Sequence, residues 1–281
     1  MIAYKNRFSQ DDIKSLEPTE KVALVATVNP EGQPHVTLLT SLQALAPTQM
    51  IMGEFSKGLS KEYMKTNSNI GFLIMTLDRH LWRGTARWTH QQKEGPEYER
   101  MNNKPMFRYN TYFGINTVHY FDLMKISVRQ SLPLASIGLA ALKTKFARGG
   151  ARRNISAVLK PFALSILDRI DSLKFLSYID TDGLPVLIPV IQCRAADSGR
   201  LAFAVSVYEE EFAAIPKGTV VAVFAMTMKM EDILVRGIYN GVGRFRGVKL
   251  ATVDVTWAYN AMPPAHGQIY PETELKTVTI F

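Results

Sequence analysis

Short runs of apolar residues, broken by Gly, Pro, Asn and Asp, recur along this chain and predict a mainly β fold. Val22 to Val28 reads as a strand, Asn29-Pro30-Glu31-Gly32 as a tight turn, and His35 to Leu42 as the antiparallel return. A third strand follows at Met50 to Phe55, a fourth at Ile70 to Thr76 and a fifth at Leu81 to Thr89. A long strand from His119 to Gln130 closes this stretch before Pro133. Ser9-Gln10-Asp11-Asp12 supplies a cap and an acidic first turn for a short helix that Pro18 ends, and Glu94 to Asn102 reads as a second, exposed helix.

The same order then returns. Lys174 to Arg194 repeats the opening hairpin, with Asp182-Gly183 answering Glu31-Gly32 and Pro185 answering Pro34. Leu234-Val235-Arg236-Gly237 answers Leu81-Trp82-Arg83-Gly84, and Val253 to Pro263 answers Leu123 to Pro133 without the Glu94 helix. Three matches in one order imply a tandem duplication, with domains at 1–131 and 173–281 and a connector at 132–172. In the connector, Leu134 to Ala147 reads as one helix. Ile155, Val158, Leu159, Phe162, Ile166 and Ile170 have the spacing of another behind an Asn154 cap, and Arg148 to Arg153 reads as a mobile basic loop between them.

Composition narrows the class. The chain has 281 residues, of which 47% are hydrophobic and 21% charged, as in a globular protein with a real core. Its net charge of +8 is local: Leu123 to Leu167 holds Lys125, Arg129, Lys143, Lys145, Arg148, Arg152, Arg153 and Lys160 and no acidic residue. That argues against a general nucleic-acid-binding surface. It leaves three readings of the connector open: a solvated linker, a lid over an anionic substrate, or a weak contact with an acidic membrane surface. One cysteine, Cys193, excludes an internal disulfide and a multi-cysteine metal site and fits a reducing, cytoplasmic compartment. Met1 to Glu20 is mixed and polar, so export is not expected. The longest apolar run, Leu132 to Leu142, is about half of the roughly 20 residues a helix needs to cross a bilayer.

Candidate chemistry concentrates at Ser56-Lys57-Gly58-Leu59-Ser60-Lys61, between the third strand and a helix. Two hydroxyls, two lysines and the free N–H groups of a helix start are what a phosphate needs. The second copy has Val207-Tyr208-Glu209-Glu210-Glu211 there, whose carboxylates would repel a phosphate. His35, His80, His90, His119 and His266 have no metal-ligand spacing. Gly241-Val242-Gly243 reads as a turn between strands rather than a phosphate cradle, and Trp82, Trp88 and Trp257 as core or interface aromatics, with one stacking near a flavin as the alternative. No acid–base triad is recognisable, so no catalytic residue is assigned.

Together, the Gly-x-Pro-His-Val hairpin, the Ser-Lys turn, the strand Trp82-Arg83-Gly84-Thr85-Ala86 and Glu94-Gly95-Pro96-Glu97-Tyr98 resemble the FMN-binding split barrel of the pyridoxamine 5'-phosphate oxidase superfamily. The likeness covers Lys21 to Gln130 well and Leu173 to Pro263 more faintly. It implies two tandem split β-barrels with helices, paired in one chain as family homodimers pair. It also implies that Lys57, with Ser56, Ser60 and Lys61 after Phe55, holds the FMN phosphate, and that Thr37, Leu38, Leu39 and Thr40 run beside the isoalloxazine edge. His35 is either a flavin contact or a surface histidine of the hairpin. One FMN per chain is expected, used for redox transfer with a small-molecule substrate or an electron-transfer partner. The alternative is a flavin, haem or deazaflavin carrier without catalysis. The copies end in Gln130-Ser131-Leu132-Pro133 and Asn260-Ala261-Met262-Pro263 and lack the family's Arg-Leu-x-Pro-like ending, so vitamin B6 oxidation is not expected.

Overall fold

Two acidic-or-amide side chains organise the two opening hairpins in the same way. In the computed structural model, which describes residues 2–107, 114–153, 157–260, 265–273 and 276–277, β1 (Tyr4–Lys5) and α1 (Gln10–Leu16) precede β2 (Lys21–Val28) and β3 (Pro34–Leu38). Asn29 Oδ1 accepts from the Gln33 backbone N–H at 2.7 Å, and Gly32 takes φ +74°, a region open to a residue without Cβ. The first half continues with β4 (Gln43–Ala46), β5 (Gln49–Glu54), α2 (Leu59–Thr66), β6 (Asn69–Thr76) and β7 (His80–Gln92). It ends with α3 (Pro96–Asn102), β8 (Thr117–Ser127) and β9 (Gln130–Ser131). Helices α4 (Leu134–Ala147) and α5 (Pro161–Asp168) connect it to β10 (Leu173–Ile179) and β11 (Pro185–Pro189). There Asp180 Oδ1 accepts from the Leu184 N–H at 2.9 Å and Gly183 takes φ +75°. Then come β12 (Arg194–Asp197), β13 (Arg200–Ala204), α6 (Glu209–Ala213), β14 (Val220–Met226), β15 (Asp232–Phe245), β16 (Val248–Asn260), β17 (Ala265–Tyr270) and β18 (Lys276–Thr277).

The two halves build antiparallel sheets of the same order, β3-β2-β6-β7-β8-β5-β4 and β11-β10-β14-β15-β16-β13-β12. Each encloses its own core, around Phe72, Trp82 and Phe121 in the first and Phe203, Phe212 and Tyr239 in the second. A further cluster belongs to both halves, with Leu24, Leu73 and Leu81 packed among Phe175, Leu187 and Phe224. Burying these large side chains against each other removes apolar area that neither half could hide alone. The contacts exchange with the halves: β3 lies against β14 as β11 lies against β6. At one point backbones meet, since a Cβ added to Gly71 would overlap the Pro185 carbonyl oxygen.

The register corrects two of the three sequence matches. The hairpins correspond as expected, Pro34 opposite Val28 and Pro185 opposite Ile179. Leu24 pairs with Leu73, which pairs with Arg83, whereas Phe175 pairs with Phe224, which pairs with Leu234. Leu234 therefore stands where Arg83 does, and Arg236 is two residues further on the same face. Likewise Leu123 corresponds to Val255, not Val253. A strand has period two, so a two-residue slip preserves every inward and outward position and is invisible to pattern matching.

Three local expectations change as well. Asn154 and Ile155 lie outside the described residues, but Val158 and Leu159 are buried without being helical, and α5 starts only at Pro161. Proline suits a first helical position and disfavours helical backbone in the residue before it. Arg148 to Arg153 is not a free loop: Arg148 pairs with Asp168 at 2.6 Å, Arg153 with Asp254 at 2.8 Å, and Arg152 donates to the Ala196 carbonyl at 3.2 Å. Gly241-Val242-Gly243 lies within β15 at a bulge. The turn is Arg246-Gly247, both at positive φ as a two-residue hairpin requires. On α4, Leu142 and Phe146 remain 62% and 63% exposed. No helix among the described residues is long and apolar enough to cross a membrane.

Candidate functional site

The Ser56–Lys61 run folds as a loop into α2 with Gly58 at the N-cap and no side-chain cap. Its two lysines part company. Lys57 is exposed, whereas Lys61 is buried and donates to the Ser56 carbonyl at 2.5 Å. Burial lowers the Lys61 pKa, and the nearby Glu54 carboxylate partly opposes that shift. Glu54 Oε2 lies 2.8 Å from His119 Nε2, and the Trp88 indole N–H donates to His119 Nδ1 at 3.1 Å. An indole N–H can only donate, so His119 carries its proton on Nε2 and gives it to Glu54. Burial raises the Glu54 pKa, but the His119 hydrogen bond and the Lys61 charge outweigh it and leave the group below its usual range.

The other expected residues divide. Ser60 and Thr37 are joined hydroxyl to hydroxyl, tying α2 to β3. Leu38 packs into the cluster shared by both halves, Leu39 into the first half's own core, and Thr40 is half-buried in the turn after β3. Phe55 points away, edge-on to Phe107 at 6.0 Å in a separate cluster under α3. His35 is not a surface residue. It is 2% exposed, with ring centroids of Tyr259 at 5.3 Å, Tyr63 at 5.5 Å and Trp257 at 6.4 Å, and its Nδ1 has no partner. Burial, reinforced by Arg236, pushes its pKa down to about 3, so it is neutral under ordinary conditions.

These rings border a cavity of about 530 Å³ between the halves. The first half contributes Asn29, Glu31 and Gln33 from the β2–β3 turn and Leu59 and Tyr63 from α2. The second contributes Arg236, Trp257 and Tyr259, with Gly267 and Gln268 on β17. Arg236 is 8% exposed; its guanidinium lies over Trp257 at 3.8 Å, one Nη donates to the Gln33 side-chain oxygen, and its Nε has no partner. Burial lowers its pKa, with Tyr63 and Glu31 opposing. Burial also pushes the Tyr259 phenol up to about 12 and raises that of Tyr63, so both rings are neutral donors. The cavity thus combines one buried cation, one exposed carboxylate, three aromatic rings and three amides. Such a mixture suits a planar ligand with an anionic group and falls within the roughly 300 to 1,000 Å³ of small-molecule sites.

Around α6, which follows β13 as α2 follows β5, the space is filled by an ion pair. Glu211 on α6 takes a two-point ion pair from Arg83, at 2.8 and 3.1 Å, and Arg83 also lies over the Tyr208 ring at 5.2 Å. Glu209 pairs with Lys249 at 2.9 Å. Among the described residues no group of acidic, histidine or cysteine side chains is placed to hold a metal ion.

Sequence reasoning singled out α2's first turn but missed Gln33, Tyr63 and Tyr259 as cavity residues. Arg236 was noticed only as a repeat match, and Trp257 as a core or interface aromatic or one of three tryptophans open to stacking near a flavin. Arginine in an apolar strand context was the available signal, since a buried guanidinium needs a partner.

No family model and no curated protein matches the chain. Among solved structures, it is similar to an FMN-binding protein from Syntrophomonas wolfei subsp. wolfei at 17% identity and TM-score 0.37, over 43% of this chain and 86% of that one. A putative pyridoxamine 5'-phosphate oxidase from Lactobacillus delbrueckii matches at 19% identity and TM-score 0.35, over 43% and 94%. An F420 reductase matches at 13% identity and TM-score 0.34, over 44% and 98%.

Proposed function

We propose that the chain arose by tandem duplication of a split barrel, with halves bounded at residues 131 and 173, and that it binds one FMN in the cavity between them as a flavin-dependent oxidoreductase. The observation that carries this reading is the cavity itself, walled by both halves and holding the buried Arg236 guanidinium over Trp257 with its Nε unpartnered. The residues present fit the group. Ser60, Thr37, the exposed Lys57 and the free N–H groups at the start of α2 are suited to the phosphate end. Tyr63, Trp257 and Tyr259 offer faces and edges to a flat ring system, and Asn29 and Gln33 offer amides to its polar edge.

A bound flavin supplies hydride and electron transfer of its own, which accounts for the lack of an acid–base triad. The chain's part is to bind, orient and exclude water. Lys61 is committed to Ser56 and the Glu54 network, so its role is to shape the loop, leaving Lys57 as the loop's exposed charge. The absorbance spectrum of the purified chain, with identification of what heat releases, tests the reading. A flavin spectrum with oxidation of a reduced nicotinamide supports an oxidoreductase; a flavin spectrum without turnover reduces the reading to a carrier. A colourless chain that takes up no added FMN refutes it.

A further inference from the structure

Each half sends one buried arginine across the junction, and the two meet different fates. Arg83 donates to the Gln130 side chain of its own half at 3.3 Å and reaches into the second half, where it donates to the Leu187 carbonyl at 3.1 Å and both carboxylate oxygens of Glu211. Arg236 reaches into the first half, where its one hydrogen-bond acceptor among the described residues is the Gln33 side chain. Both are at least nine-tenths buried, at 2% and 8% exposure. A guanidinium taken out of water calls for an anion, and its planar fork matches a carboxylate or phosphate edge. Glu31 is the nearest carboxylate on the cavity, but it is exposed and makes no hydrogen bond to Arg236. The space beside Arg236 is open where that beside Arg83 is filled by Glu211 and Tyr208.

We infer that Arg236 is the oxyanion anchor of the cavity, receiving a carboxylate or phosphate edge of the bound molecule as Arg83 receives Glu211. This inference rests on the reading of the cavity as the ligand site, and it names the class of ligand: flat, aromatic or conjugated, and carrying an oxyanion. Two sources supply that chemistry. One is a redox substrate with a carboxylate conjugated to its ring, held beside the flavin. The other is the flavin phosphate itself, in which case the Ser56–Lys61 loop is not its anchor. A neutral ligand of the same shape would leave Arg236 buried without a counter-charge and should be rejected.

Calorimetric titration of the full chain with benzoate, benzamide, FMN and riboflavin separates these cases in the wild type, Arg236→Gln and Arg236→Lys, each checked for an unchanged melting profile. The inference expects an oxyanion ligand to bind the wild type at least ten-fold tighter than its neutral counterpart, and Arg236→Gln to erase the difference. Arg236→Lys, which keeps the charge but loses the fork, should retain only part of it. If the benzoate-over-benzamide preference is lost while FMN and riboflavin keep their ratio, the anchor serves a substrate carboxylate. If the FMN-over-riboflavin preference is lost instead, it serves the flavin phosphate. Benzoate binding that depends on Arg236 in a chain that takes up no flavin upholds the inference and sinks the flavin reading. Oxyanion preferences unaltered in Arg236→Gln, or no preference in the wild type, overturn the inference, and FMN binding in that same experiment would leave the flavin reading standing.

Discussion

Below their short helices, α2 and α6, the two halves put different chemistry into the same frame. By strand register, Glu54, Trp88 and His119 of the first half correspond to Val205, Tyr239 and Ala251 of the second; α2 adds Lys61 to the first set and α6 adds Phe212 to the second. The first set is a buried polar network; the second is apolar core, with only the Tyr239 hydroxyl finding a partner, the Phe212 carbonyl at 2.9 Å. The apolar version shows that the fold does not require the polar one. Each member of the first set has a hydrogen-bond partner, so its burial is compensated, and the polar set stands directly beside the α2 loop. The junction repeats the lesson, with Arg83 closed by Glu211 and Arg236 left facing a cavity.

The largest expected effect comes from breaking the closed side of that comparison. Glu211→Ala strands the Arg83 guanidinium in a site 2% exposed and should cost about 3 kcal/mol, read as a shift in denaturant midpoint. Replacing both partners, Arg83→Met with Glu211→Met, should recover most of the loss. A cost for the single variant below about 1 kcal/mol would make the pair incidental.

Next is the junction. Gly71→Ala drives a Cβ into the Pro185 carbonyl oxygen, backbone against backbone, and should cost roughly 1 to 3 kcal/mol. An unchanged melting temperature would mean that the halves do not pack as described. On the open side, Lys57→Ala should weaken FMN binding about ten-fold, by loss of a charge-assisted phosphate contact, with stability unaltered. Equal affinity in the variant would free the α2 loop of any phosphate role.

The smallest effect is a pH dependence. The folded-state pKa of Glu54 lies below its ordinary 4.5, so the unfolded chain takes up the proton first as pH falls. The group's contribution is therefore fully present above about pH 4.5 and is lost as pH falls through the folded value. Glu54→Gln should flatten the fall of melting temperature in that acid range, and an identical acid slope in the variant would show that the network contributes nothing there.

Much of this frame was legible because hairpin chemistry is local. Asn29 to Gly32 and Asp180 to Gly183 announce the same turn, and the apolar runs beside them announce the strands. The register of β7 and β15 was not, because Arg83-Gly84 and Arg236-Gly237 look alike and a two-residue slip keeps their faces. The cavity lay beyond reach for another reason. It joins Gln33 and Tyr63 to Arg236, Trp257 and Tyr259 across the whole chain, and no local pattern records which face of one half meets the other. The orientation of Lys61 was equally hidden. A lysine in a polar run reads as solvated, whereas here it turns inward onto the Ser56 carbonyl with the Glu54 charge nearby.

The central claim is that two like halves complete one ligand site, and ligand stoichiometry tests it most directly. Equilibrium titration of the full chain with FMN, followed by quenching of flavin fluorescence, is expected to saturate at one equivalent per chain. The same endpoint should hold in Lys57→Ala, at lower affinity. Saturation at two equivalents of similar affinity would mean that the place occupied by Glu211 and Tyr208 also accepts the ligand, and the contrast between an open and a closed half would be contradicted.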